Sequence, residues 1–194
     1  MSISTLNELV AGMPELDNLV SELKTSVSNS RLQVLEEAGP AVLATLWTKL
    51  ERPLLIITPR AEGALKLSEQ IALWGITHAR HFPESEALPF ERLASDSGTT
   101  QSRISTLAAL TKPTHEGPPL IVASIAAITE KTPSRSTFES ARHTVKRGDQ
   151  VDLEDLMDLW RRMGYSHQPV VDMPGTVGRR GGIVDIFPVG AESP

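Results

Sequence analysis

Two arginines, two glycines and an apolar run follow one another in PGTVGRRGGIVDIFPVG, Pro174 to Gly190. Such a stretch could cradle a phosphate, grip nucleic acid, or pair its guanidinium groups with carboxylates of another protein. A second candidate for phosphate chemistry is VLEEAGPAVLATLW, Val34 to Trp47, but a phosphate loop of the form G-x-x-x-x-G-K-[ST] has two glycines and a lysine that this stretch lacks. Pro40 also removes an amide donor, and Glu36 and Glu37 would set negative charge against the phosphates. His78 and His81 are the close pair among five histidines, and their spacing of three on an expected strand directs them to opposite faces, so no metal site is expected. Glu84 and Glu86 could do acid-base chemistry only if burial separated their pKa values, and the expectation there is a solvated loop. No Ser-His-Asp arrangement can be argued from spacing. The absence of cysteine removes disulfides, thiolate metal sites and thiol nucleophiles.

These residues must be positioned by elements that the apolar periodicity outlines. Leu6, Leu9, Val10 and Met13 form one helical stripe, and Leu16, Leu19, Val20 and Leu23 form another after Pro14, with Ser28-Asn29-Ser30 as a polar linker. From Arg31 to about Glu130 strands and helices alternate, the pattern of a parallel α/β sheet. RLQVL is expected as a strand, GPAVLATLWTKLE as a helix burying Val42, Leu43, Leu46, Trp47 and Leu50, and PLLIIT as a strand. RAEGALKLSEQIALWG then reads as a helix ended by Gly75, HARHF as a short strand, Arg103 to Leu110 as helical and LIVASI as a strand. PLLIIT and LIVASI are apolar at every other position and between, so both are expected to be covered on each face. Beyond Thr132-Pro133 a strand is expected around Phe138 to Val145, then a Gly148-Asp149 turn, the helix LEDLMDLWRRMG and a strand pair from Tyr165 to Phe187. The expected organisation is N-terminal helices over 1–30, an α/β domain over 31–132 and the start of a small α+β domain over 133–194. A domain of that second kind would not close by Pro194, so the chain is expected to be part of a longer protein.

A chain of 194 residues with 40% hydrophobic and 22% charged residues has the composition of a globular protein. No stretch approaches the ~18 apolar residues of a membrane span, and no basic leader precedes the first helix, so a cytoplasmic protein without a membrane partner is expected. The net charge of −5 disfavours a whole-surface nucleic-acid binder and leaves two local basic patches, Arg142/Lys146/Arg147 and Arg179/Arg180. The first is explained as well by a solvated strand edge guarded by basic side chains.

FPESEALPFE (82–91), SRISTLAAL (102–110), LIVASIAAI (120–128), LMDLWRRMGY (156–165) and PGTVGRRGGIVDIFP (174–188) together resemble the N-terminal, UvrB-like region of the bacterial transcription-repair coupling factor family. The resemblance runs from about Leu32 to the end and is most specific in its last segment. It implies a helicase-like α/β fold with a degenerate phosphate loop, because Gly39 and Pro40 stand where an active UvrB loop carries its lysine and threonine. UvrB's aromatic DNA-clamping hairpin is also missing, since only RLASDSGTT stands between Glu91 and Gln101. For the family as a whole the resemblance implies an ATP-dependent DNA translocase, using ATP and Mg, that displaces stalled RNA polymerase on double-stranded DNA. This segment would hold no cofactor and would contribute an adaptor that binds UvrA.

Within that reading Arg180 matches the arginine of the UvrA-docking surface, Arg179 stands beside it, and His167 takes the place of a further arginine, as a weaker, mostly neutral contact. Strand alternation puts Ile183, Asp185 and Phe187 on one face and Val184 and Ile186 on the other. If Val184 and Ile186 face inward, Phe187 and Asp185 are displayed outward and Phe187 joins the arginines as an exposed hot spot, and if Phe187 is core it anchors the sheet. Tyr165 is expected to pack. Two other functions stay open: a divergent UvrB-type ATPase subunit of excision repair, and a structural domain that restrains a motor elsewhere in the chain.

Overall fold

The computed structural model describes residues 3–25, 29–85, 97–111, 117–191 and 193–194. In chain order it forms α1 (Ile3–Ala11), α2 (Pro14–Thr25), a single 3-10 turn (Glu36–Ala38), α3 (Gly39–Leu50), β1 (Leu54–Thr58), α4 (Ala61–Leu73) and β2 (Arg80–Phe82). There follow α5 (Ser97–Thr111), β3 (Leu120–Ser124), α6 (Ile125–Thr129), α7 (Arg135–Ser140), α8 (Leu153–Arg162), β4 (Ser166–His167), β5 (Thr176–Arg180) and β6 (Ile183–Phe187). Two compact units result, one from the described residues up to 85 with 117–130, the other from 97–111 with 131–194.

The first unit is a parallel sheet of order β1-β3-β2 with helices packed on it. Ala64 and Ile71 of α4 meet Leu120 and Val122 of β3, all four fully buried, and each large aliphatic chain so buried contributes roughly 1.5–3 kcal/mol. Ala44 of α3 joins this core, while Val42 and Leu46 of the same helix pack on Leu16 and Val20 of α2. Lys49 fixes that second contact, donating to the Ala11 carbonyl and pairing with Asp17 at 2.5 Å. The first stripe of the sequence is only partly used, since Leu9 and Met13 are exposed.

LIVASI behaves as its composition predicts, with β3 buried at every position. PLLIIT does not: only one face of β1 is covered, so Leu54 and Ile56 pack on the core while Leu55 and Ile57 remain 52% and 48% exposed. RLQVL forms no strand among the described residues. It is exposed and unpaired, because β propensity is realised only where a neighbouring strand supplies hydrogen bonds and a packing surface.

The second unit holds α5, α7, α8 and a sheet of order β4-β5-β6, in which β4 and β5 run parallel and β5 and β6 antiparallel. Asp152 starts α8 by accepting hydrogen bonds from the amides of Glu154 and Asp155, which leaves Leu156, Met157 and Trp160 on one buried side. That side packs on Val177, with Tyr165, Val184 and Ile186 around it, so Tyr165 does pack. Its hydroxyl also accepts from the Val189 amide at 3.3 Å.

The strand expected around Phe138 to Val145 is instead helix α7 followed by irregular chain. The Ser134 hydroxyl accepts from the Thr137 amide and Arg135 pairs with Glu139 one turn on, and these local helix-starting interactions win over the β-branched content. The basic residues Arg142, Lys146 and Arg147 therefore guard no strand edge.

Candidate functional site

The arginines sit where β5 turns into β6. Arg180 pairs with Ile183, so Gly181 and Gly182 make a two-residue turn, and Gly181 takes a φ of 62°, which a side chain would resist. Alternation along β5 and β6 gives the hairpin two unlike faces. Val177, Arg179, Val184 and Ile186 share the face that packs toward α8. Thr176, Gly178 and Arg180 share the opposite face with Phe187, Asp185 and Ile183.

That opposite face is closed at one end and open at the other. Gln168 and Val171 crowd the closed end, where a Cβ on Gly178 would stand 2.7 Å from the Gln168 carbonyl oxygen and 3.0 Å from Val171. Thr176 and Phe187 are buried there, and the Gly175 amide donates to the Phe187 carbonyl. At the open end Ile183 is 63% exposed and the Arg180 side chain 74% exposed.

Phe187 is accordingly not displayed beside the arginines. Val184 and Ile186 do face the core, yet Phe187 is only 8% exposed because the second face is covered at that end too. It anchors the sheet, and the exposed apolar side chain next to Arg180 is Ile183.

Both arginines project from the hairpin and each is held at one atom. Arg179 donates through Nε to the Gly181 carbonyl at 3.0 Å, and Arg180 donates through Nη2 to Asp185 Oδ2 at 2.7 Å. Being consecutive in a strand, they lie on opposite faces and do not form one patch. His167 is exposed on β4, level with Val177, about 10 Å along the strands from Arg180 at ~3.3 Å per residue. The hairpin does not bring it to the arginines. Asp185 shares the face of Arg180, and the two-residue turn at Gly181-Gly182 fixes it diagonally across from that arginine, a pairing that alternation alone does not give.

The remaining candidates resolve separately. Gly39 and Pro40 open α3, but among the described residues no strand precedes them, Pro40 offers no amide, and Glu36 and Glu37 are exposed just before. These groups do not suit a nucleotide polyphosphate. His78 lies in a turn, with its ring edge-on to Trp47 at 5.0 Å, and His81 is in β2. The Nε2 atoms of both are buried and lack a hydrogen-bond partner, and burial lowers the His81 pKa, partly opposed by the charge of Glu69. Among the described residues no cluster of side chains suited to a metal ion occurs. Glu84 accepts from the buried Ser124 hydroxyl at 2.5 Å, a structural contact, since the same hydroxyl caps α6; Glu86 lies outside the described residues. No helix among the described residues is long and apolar enough to cross a membrane.

Residues 144–194, a range that contains α8, β4 and the β5–β6 hairpin, match the family model of the UvrB interaction domain. Over a longer span the chain is similar to the transcription-repair-coupling factor of Escherichia coli strain K12, 28% identical across 84% of this chain and 14% of that protein. The corresponding factor of Bacillus subtilis strain 168 is 24% identical across 98% of this chain and 15% of its own length. That of Mycobacterium bovis is 28% identical across 99% of this chain and 16% of its own. The resemblance carried by the sequence motifs thus extends over most of the chain, as similarity to transcription-repair-coupling factors, with the UvrB interaction domain matched at its end. The chain spans about one seventh of the length of these relatives.

Proposed function

We propose that this chain works as a non-catalytic, UvrB-like adaptor of a cytoplasmic transcription-repair coupling factor, recruiting UvrA so that nucleotide excision repair can begin. The observation that carries this reading is the coincidence of the UvrB interaction domain with an exposed hairpin end bearing Arg180 and Arg179. An arginine fork suits bidentate pairing with carboxylates, and a two-residue turn on a packed sheet presents it with little backbone freedom to lose. The acidic whole-chain charge of −5 favours a protein partner over DNA.

The first unit is read as a degenerate helicase-like domain that keeps the parallel layering and has lost nucleotide chemistry at Gly39-Pro40. Translocation on double-stranded DNA, displacement of RNA polymerase, and the ATP and Mg that drive them belong in this reading to other parts of a longer protein. The test is titration of the whole chain with UvrA. Reversing Arg179 and Arg180 together to Glu is expected to weaken binding by about tenfold or more, as loss of a hot spot does. Unchanged affinity would remove the hairpin from the docking surface.

A further inference from the structure

Arg180 and Asp185 face each other diagonally on the open side of the hairpin, joined by the 2.7 Å bond from Nη2 to Oδ2. An exposed pair of this kind adds little to folding, because its charges stay largely solvated. The core of Val177 with Leu156, Met157 and Trp160 packs on the opposite face of the hairpin from the pair. What the pair does accomplish is orientation. A free arginine samples many rotamers, and ordering them on docking costs affinity, whereas a side chain already held at one atom has less freedom to lose. Nη2 is the atom held, and Nε and Nη1 make no bond to the described residues.

We propose that Asp185 is a positioning residue for partner docking: it holds Arg180 by one edge of the guanidinium, so that the other donors are presented, beside Ile183, to a carboxylate on the partner. This rests on the UvrA reading above. The partner surface it fits is acidic with an apolar neighbour, matching Arg180 and the 63% exposed Ile183. Arg179, on the α8-facing side, is not part of the same contact.

The experiment measures UvrA binding by the whole chain and its Asp185→Asn, Asp185→Glu, Arg180→Ala and Arg180→Ala/Asp185→Asn variants, with thermal melting of each. The expected results are a roughly three- to tenfold loss of affinity for Asp185→Asn, the scale of one ordered side chain, and near-native binding for Asp185→Glu. Melting should not move, and Asp185→Asn should have no further effect once Arg180 is Ala. Binding that is unchanged or tighter in Asp185→Asn overturns the proposal and leaves the UvrA reading intact, as does a loss that persists in the Arg180→Ala background. Failure of the native chain to bind UvrA overturns both.

Discussion

The carbonyl oxygen of Gln168 stands 2.7 Å from the position a Cβ on Gly178 would occupy, so the segment leaving β4 rests directly on the backbone of β5. Gly178→Ala would have to push apart two backbones, with Val171 also within 3.0 Å. The expected cost is about 1–3 kcal/mol of stability, the usual penalty for overpacking. A urea midpoint indistinguishable from the native one would show that the loop can yield.

Asp152 predicts a smaller effect nearby. Its carboxylate accepts from two amides at the start of α8, and Asp152→Ala should cost roughly 1 kcal/mol while Asp152→Ser or Asp152→Asn retains most of it. Denaturant unfolding of the three variants checks the order. Equal stabilities would mean the cap is idle.

Stability should also depend on pH through His81. Its folded pKa lies below the ordinary value of 6.5 because burial disfavours the charged ring, so the unfolded chain binds the proton more readily. The full contribution is present above 6.5 and declines as pH falls from there toward the lowered folded value. His81→Gln should flatten the melting profile below pH 6.5, and Glu69→Gln, which removes the opposing charge, should steepen it. A native profile that does not decline over this range would contradict the argument.

ATP with Mg should leave the melting midpoint of the chain unmoved, because the start of α3 offers Pro40 in place of an amide and Glu36 and Glu37 in place of a cation. A ligand at a hundred times its dissociation constant adds about 2.7 kcal/mol, which a melting scan detects readily. Such a rise would restore a nucleotide site to this unit.

Which of these features the sequence made legible depends on how local their causes are. β3 and α8 were readable because their own residues decide them: Leu120 to Ala123 are apolar without a break, and Asp152 followed by Leu156, Met157 and Trp160 specifies a capped helix with one buried side. Arg31 to Leu35 misled because a strand is a relation between two segments, and no partner lies alongside it among the described residues. Phe187 could not be placed by alternation, since alternation assumes one wet face, and here Phe187, Thr176 and Gly178 are buried on the second as well. Alternation alone puts Asp185 on the outward face, but its pairing with Arg180 depends on the register that the turn at Gly181 and Gly182 sets.

The strand order β1-β3-β2 has a kinetic consequence. β1 and β2 bond to β3 and not to each other, although β3 follows both in the chain. While the protein is being synthesised, Leu54–Thr58 and Arg80–Phe82 therefore wait for Leu120–Ser124 before either has a neighbour. Closing so long a loop slows folding and leaves the apolar strands β1 and β2 without a partner until β3 has emerged from the ribosome.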